Sequence, residues 1–316
     1  MTFNLLGTMK DANCLQTRRF DGEILMKVLV FGISGMLGNS IFRYFNERDE
    51  HVIFGTARSS SCFKYFDQKT HKNIITNVNV DQPDSLLKVM NDVKPDVVIN
   101  CIGVVKQLKQ AYDPLESIPL NSLLPHRLAE ICKAFNARLI HISTDCVFSG
   151  TQGFYKETDL PDATDLYGRS KLLGEVTYSH TITLRTSIIG HELTGSRSLV
   201  DWFLSQKEKT KGFTKAVFSG FPTVELARII HDTVLPQPKL SGLYHVAANP
   251  INKFDLLTLI KNTYKKDIEI EPTDELIIDR SLNAERFNKE AGYIPPSWSD
   301  LIKLMHDSKR PKGDHV

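Results

Sequence analysis

The stretch Lys27-Val28-Leu29-Val30-Phe31-Gly32-Ile33-Ser34-Gly35-Met36-Leu37-Gly38 decides the fold. A short apolar strand runs into three glycines spaced three apart, and an apolar helical pattern follows from Leu37. A strand that turns through glycines into a helix brings backbone N–H groups and a positive helix end up to a pyrophosphate. Gly32, Gly35, Met36 and Leu37 are therefore candidate dinucleotide contacts. The spacing is GxxGxxG and not GxGxxG, so close packing of three small residues would look the same. A second element far downstream favours the dinucleotide: Tyr167-Gly168-Arg169-Ser170-Lys171, preceded by Ser143-Thr144-Asp145.

Outward from that stretch, strand-like apolar runs alternate with helical patterns through the first half of the chain. This is the sign of a parallel sheet with crossover helices. Strands are expected at 27–31, 51–56, 74–79, 96–100, 138–143 and 181–186. Helices are expected from near Leu37, Pro83 and Pro119 and from just before Tyr167, both prolines being suited to first turns. In such sheets ligands collect at the carboxyl ends of strands, which here carry Gly32, Arg58, Asp81, Cys101, Ile102, Gly103 and Thr144. After about residue 186 the rhythm loosens: helix-like segments at 199–206, 224–234, 254–264 and 282–291 mix with short strands such as 243–246. The expected fold is α/β, with a Rossmann-type doubly wound parallel sheet over 26–185. A smaller mixed α/β substrate domain occupies most of 186–316, with segments returning to the first domain. Residues 1–25 read as an extension outside the fold, and 307–316 as a polar, frayed end.

With 39 basic and 37 acidic residues the net charge is +2, which makes no electrostatic case for nucleic acid or a membrane surface. No apolar run approaches the ~18–20 residues of a membrane span. The first 25 residues lack the basic-then-apolar order of a signal peptide. Five cysteines without a CxxC pair fit reduced thiols, not a disulfide framework or a zinc site. The expectation is a cytoplasmic protein with a small-molecule substrate and no metal.

Tyr167 and Lys171, four apart, share a helix face. A phenol of ordinary pKa near ~10 is a poor acid–base catalyst at neutral pH. A neighbouring ammonium and a positive nicotinamide ring would lower that pKa. Thr144, at a strand end, can hold a carbonyl or hydroxyl beside the phenol. Thr144, Tyr167 and Lys171 together make a site for hydride exchange between a nicotinamide and a carbonyl, with Tyr167 and Lys171 also against the cofactor. A Tyr and a Lys four apart decorate many helices, so the weight lies on all three occurring in order.

Cofactor choice is read at the end of the second strand, where the chain gives Gly55-Thr56-Ala57-Arg58-Ser59-Ser60. The carboxylate that would hold an NAD ribose is missing. Arg58 either pairs with a 2′-phosphate, favouring NADP(H), or is an ordinary surface arginine. Asp81 either accepts from the adenine amine or caps the helix before Leu86.

These residues resemble the extended short-chain dehydrogenase/reductases, and within them the dTDP-4-dehydrorhamnose reductase group. The resemblance runs from about 26 to 305, through GISGMLG (32–38), VINCIG (98–103), STDCVFSG (143–150), YGRSKLLGE (167–175), LRTSIIG (184–190), FSGFPTVELA (218–227), GLYHVA (242–247) and DRSLNAERF (279–287). It implies Thr144, Tyr167 and Lys171 as the catalytic trio, NADP(H) as cofactor and a nucleotide-activated 4-keto-6-deoxy sugar as substrate. It also implies a homodimer and a place in surface polysaccharide synthesis. Val104, Asp145, Cys146 and Ile188 would lie at the sugar.

The chain departs from the group at two of those places, having Cys146 for a tyrosine and Ile188 for an aromatic. The related 4,6-dehydratases need Asp-Glu after the threonine, so Cys146 following Asp145 argues against dehydration. In epimerase/reductases such as GDP-fucose synthase, a cysteine two places after the catalytic hydroxyl residue shuttles carbon-bound protons. Cys146 has that spacing from Thr144, while His191 shares no motif with the partner histidine of those enzymes. A small buried thiol is the plainer reading. The regulatory subunit of methionine adenosyltransferase carries the same resemblance and implies a further reading, a catalytically silent NADP-binding subunit. The intact Thr144, Tyr167 and Lys171 argue against it. His141 and His245 read as packing residues, His51 and His231 as peripheral, and none forms a metal-ligand spacing.

Overall fold

The computed structural model describes residues 18–20, 23–104, 106 and 109–309. Seven parallel strands form the main sheet: β1 (Lys27–Phe31), β2 (Val52–Thr56), β3 (Ile74–Ile75), β4 (Val97–Asn100), β5 (Arg138–Thr144), β6 (Thr181–Thr186) and β7 (Gly242–His245). Their spatial order is β7-β6-β5-β4-β1-β2-β3. The chain begins in the middle, winds out to β3, and returns to β4 on the other side of β1. Val28 of β1 accordingly lies between Ile53 and Val97. That reversal opens a crevice at the carboxyl ends of β1 and β4, where such sheets bind ligands.

The first strand is apolar throughout because side chains alternate and both sheet faces are covered. Val28 and Val30 pack with Ile41, Phe42 and Phe45 of α1 (Met36–Asn46), and with Leu226 and Ile230 of the helical run 223–234. Leu29 and Phe31 point the other way, onto Leu86 and Met90 of α2 (Pro83–Val93) and Leu128 of α3 (Leu124–Ala134). Each such side chain contributes roughly 1.5–3 kcal/mol when fully buried, so this strand is held in place from both layers.

The structure changes several expectations. Residues 74–79 reduce to β3 because Asn77 takes a left-handed φ of 60°, a conformation that ends a strand. The helix expected from Pro119 starts earlier, at Pro114, where the Asp113 carboxylate accepts the Leu115 N–H at 2.9 Å. Pro119 lies inside a continuous run that is π-wound over Ile118–Leu123 and takes one N–H out of it. Asp81 is not the cap of α2; Gln82 holds that position. His231 is not peripheral: it is buried, 4.7 Å from the Phe45 ring and 2.6 Å from the Asp232 carboxylate. The strand near 243–246 belongs to the main sheet, with Leu243 of β7 opposite Thr183 of β6.

The other C-terminal segments build a second core. Helices Leu199–Ser205, Lys253–Thr263 and Trp298–Asp307 bring Phe203, Leu256, Ile260 and Ile302 together there. At its edge Ala216–Phe218 pairs antiparallel with Ile251–Asn252 and parallel with Ile278–Asp279. Lys253 and Arg280 are the next residues after those last two strands. Arg18–Phe20 and Glu23–Leu25 pair antiparallel; the rest of the expected N-terminal extension, and 310–316, lie outside the described residues. Among the described residues no helix is long and apolar enough to cross a membrane.

Candidate active site at the carboxyl edge of the sheet

After β1, Gly32 turns the chain at φ +87°, a conformation that L side chains rarely adopt. The Gly35 N–H donates to the Gly32 carbonyl at 3.0 Å, and Gly35 then caps α1 in extended geometry. The helix passes so close that a Cβ on Gly38 would strike that same carbonyl. Met36 and Leu37 thus begin a helix pressed against the strand end, with first-turn N–H groups that have no intrahelical acceptor. Across the crevice, the Cys101 N–H donates to the Phe31 carbonyl at 3.1 Å. The Ile102 side chain covers Gly32, and a Cβ on Gly103 would lie 3.7 Å from Lys171 Nζ. This glycine-lined cradle fits a dinucleotide pyrophosphate. Arg58 and Asp81 stand exposed beyond β2 and β3, and Arg58 makes no hydrogen bond or ion pair with the described residues.

Helix α4 (Leu166–Leu173) carries the tyrosine and the lysine. Asp165 starts it by accepting the Gly168 N–H at 2.8 Å. Lys171 is buried and donates to the Ile142 carbonyl at 2.8 Å. Burial pulls its pKa down to about 8, opposed by the charges of Glu175 and Cys101. Thr144 closes β5, accepting the Cys146 N–H at 3.1 Å and donating to Asp145 at 3.2 Å. Tyr167 is half-buried, and its phenol lies near enough to Thr144 for that hydroxyl to act on its pKa. The structure therefore brings Thr144, Tyr167 and Lys171 to one place.

A lowered tyrosine pKa is expected from a neighbouring ammonium together with a positive nicotinamide ring; the protein's own groups shift it the other way. Burial pushes the Tyr167 phenol upward, with Cys146, Asp145 and Asp165 adding to the rise and the Thr144 hydroxyl opposing it. The ammonium of Lys171 is aimed at the Ile142 carbonyl instead.

Several site residues gave no signal in the sequence. Asn121, from the π-wound segment, accepts the Val104 N–H at 2.9 Å and donates to Ser170 at 3.0 Å. It thereby ties the loop after β4 to α4. π-Wound turns often mark functional positions, and that is the one signal that could have found it. Val104 itself is buried, and Ile188 is half-buried in a short strand paired with Phe221–Pro222. Lys106 places its ammonium 3.8 Å from Cys146 Sγ, 3.4 Å from Asp165 and 5.8 Å from the Tyr167 ring centre. Burial first, and then Asp145, push the Cys146 thiol up to about 11, against the pull of Lys106 and Arg280. His191 is engaged elsewhere, with Asp201 at 3.2 Å and the Tyr264 hydroxyl at 2.8 Å. Among the described residues no group of His, Cys, Asp and Glu is arranged to hold a metal.

A family model described as the RmlD substrate binding domain matches residues 26–307. Methionine adenosyltransferase 2 subunit beta of Xenopus tropicalis is 26% identical over 265 residues, which cover 75% of this chain and 72% of that protein. The dTDP-4-dehydrorhamnose reductase of Salmonella typhimurium is 22% identical over 307 residues, 89% of this chain and 97% of that one. The crystal structure of a dTDP-4-dehydrorhamnose reductase from Bacillus anthracis in complex with NADP superposes with a TM-score of 0.73, at 20% identity, over 90% of this chain and all of that one.

Proposed function

The chain belongs to the RmlD substrate binding domain family, and from that premise we propose that it reduces the C4 ketone of a nucleotide-activated 4-keto-6-deoxyhexose with NADPH. The observation that carries this reading is the meeting of Tyr167, Thr144 and Lys171 beside a glycine-lined crevice. NADPH would be held by the Gly32–Gly38 turn, the loop of Cys101, Ile102 and Gly103, and Arg58; bound there, it supplies the hydride.

The protein's own groups do the rest. Thr144 orients the ketone oxygen at the end of β5. Tyr167, whose phenol burial keeps protonated, donates the proton that the new hydroxyl requires. An upward pKa suits an acid, and so suits reduction better than the reverse reaction. Lys171, one turn along α4, holds its positive charge at the same strand end, against the Ile142 carbonyl. The absence of a carboxylate after β2, together with an Arg58 that pairs with none of the described residues, supports NADPH over NADH.

Two other readings have specific support. Lys106 beside Cys146 would give a 3,5-epimerase/4-reductase the second acid–base group that His191 does not supply. A thiol pushed up to about 11 is, however, a weak base at neutral pH. The likeness to a methionine adenosyltransferase beta subunit supports a dinucleotide-binding subunit without catalysis. Oxidation of NADPH by the purified protein with dTDP-4-keto-6-deoxy-L-hexose, and with its UDP and GDP counterparts, tests the proposal. Tight NADPH binding without turnover on any of them would favour the silent subunit.

A further inference from the structure

We propose that His141 is a positioning residue: acting through Asn100, it sets the loop Cys101–Gly103 that walls the dinucleotide crevice. The inference rests on the proposed function only in taking that loop as a wall of the cofactor site.

Asn100 ends β4 and lies opposite His141 of β5, with Phe31 of β1 opposite it on the other side. Both polar side chains are fully buried, so each needs partners. The Ile102 N–H can only donate, and it meets Asn100 Oδ1 at 3.0 Å. The Asn100 amide nitrogen is thereby turned to His141 Nδ1, 3.2 Å away, and it too can only donate. His141 Nδ1 therefore accepts, which leaves the one ring proton on Nε2. The ring stays neutral because burial, and then the charges of Lys171 and His126, push its pKa well below the ordinary value.

Packing alone does not explain a histidine here. His141 Nε2 has no hydrogen-bond partner among the described residues, and a stranded buried donor is costly. What the ring supplies is one acceptor, aimed at Asn100. With a proton on Nδ1 the asparagine would have to reverse, turning its nitrogen to the Ile102 N–H, donor against donor. The loop would then lose its middle anchor. Cys101 is held by its bond to the Phe31 carbonyl at 3.1 Å and Val104 by Asn121 at 2.9 Å; Asn100 holds Ile102 between them. That anchor shapes the crevice, since a Cβ on Gly32 would come within 2.9 Å of the Ile102 side chain. Lys171 acts in two directions, donating to the Ile142 carbonyl and keeping a second proton off His141 by its charge.

The test begins on the full chain without cofactor, so that its failure is separate from failure of the reductase reading. Nitrogen-15 NMR of histidine-labelled protein should show His141 with a bare Nδ1 and a protonated Nε2 throughout the range of about pH 5 to 8. Hydrogen exchange at the Ile102 amide should be about tenfold faster in His141→Leu than in the parent. His141→Asn, whose Oδ1 can take the place of Nδ1, should restore the parent's rate. NADPH, followed by fluorescence titration, should bind about tenfold more weakly to His141→Leu and to Asn100→Leu. The double variant should be no weaker than either single one, because both remove the same anchor. A residue that only fills space predicts neither the rescue nor this lack of additivity. A proton on Nδ1 at neutral pH, an Ile102 amide that exchanges equally in all three proteins, or losses that add in the double variant overturn the proposal. Should His141→Leu not fold, His141→Gln takes its place: its longer amide reaches the position of Nε2 and not of Nδ1, and a parent-like Ile102 amide there overturns the proposal too. If the exchange pattern holds but the parent binds neither NADPH nor NADH, the anchoring of the loop is upheld and the proposed function is what fails.

Discussion

Lys171→Met should make the protein more stable at neutral pH while removing most of its activity. Burial takes the lysine from its ordinary 10.5 to about 8, which corresponds to about 3 kcal/mol of preference for the uncharged form at ~1.36 kcal/mol per pH unit. The folded protein bears that cost at pH 7, where Lys171 is charged. Methionine is of similar length and has no charge to desolvate. Against the gain, the Ile142 carbonyl loses the 2.8 Å bond it accepts, worth about 1 kcal/mol. The net expectation is a variant about 1–2 kcal/mol more stable at pH 7.

The sign with pH follows from the same shift. Between about 8 and 10.5 the unfolded parent keeps a proton that the folded parent has released, so the parent's stability rises with pH through that window. The variant has no such group, and its advantage shrinks and reverses before pH ~10.5. Urea denaturation of both proteins at pH 7, 8.5 and 10 measures the difference and cancels the other titrating groups. Parent turnover should fall as pH rises past about 8, as Lys171 loses its charge. A variant less stable than the parent at pH 7, or an advantage unchanged between pH 7 and 10, would refute the reasoning.

Tyr167→Phe keeps the ring but removes the placed proton donor, so turnover should drop by ~10²–10⁴ with NADPH affinity little changed; near-normal turnover removes Tyr167 from the mechanism. Arg58→Ala should weaken NADPH binding by about one to two powers of ten, the ~1.5–3 kcal/mol of a charge-assisted contact, and leave NADH almost unaffected. Equal losses for both cofactors in fluorescence titrations would make Arg58 structural. Cys146→Ser should keep most of the reductase activity, and reduction in heavy water should place no deuterium at C3 or C5 of the sugar. Deuterium at either carbon, lost in Cys146→Ser while reduction continues, would establish the epimerase/reductase instead.

How far the chain could be read depended on the range of the interaction. β1, α1 and α2 are set by local signals: a short apolar run buried on both faces, three glycines at a turn, and a proline in a first helical turn. Their positions follow from a few neighbours in sequence. The end of β3 was not legible, because an asparagine is tolerated in a strand and also in the left-handed turn that Asn77 makes. Pro119 misled for a similar reason, since a proline marks a first turn in most helices but here sits within a π-wound run. The approach of Lys106 to Cys146 and Asp165 could not be read at all. Long flexible side chains carry no periodicity, and only the tertiary fold decides which of the 39 basic residues meet. The upward push that the protein's own groups give Tyr167 was not legible, because spacing shows which residues share a face but not where an ammonium points.

The fit of α4 against β5 fixes the positions of the proposed catalytic groups. Tyr167, Lys171 and Glu175 lie at intervals of four and so follow one face of the helix and its exit. Two of them are held by consecutive β5 residues, and the third lies beside the next one. The Ile142 carbonyl accepts from Lys171 at 2.8 Å, the Ser143 hydroxyl donates to Glu175 at 2.7 Å, and the Thr144 hydroxyl meets Tyr167. Glu175 is fixed in turn by Arg185 of β6, through two bonds of 2.7 Å, and Arg185 donates to His245 of β7 at 3.2 Å. Burial and the Arg185 charge pull His245 down to about 4, so it is neutral and can accept that bond at Nε2. Removing one partner of a buried ion pair costs about 3–5 kcal/mol, whereas replacing both by apolar groups is often neutral. The pair is therefore better understood as locating than as stabilising. It fixes the ends of β5, β6 and β7 to the exit of α4, and a slip of β5 by one residue would turn Thr144 to the opposite sheet face, away from Tyr167.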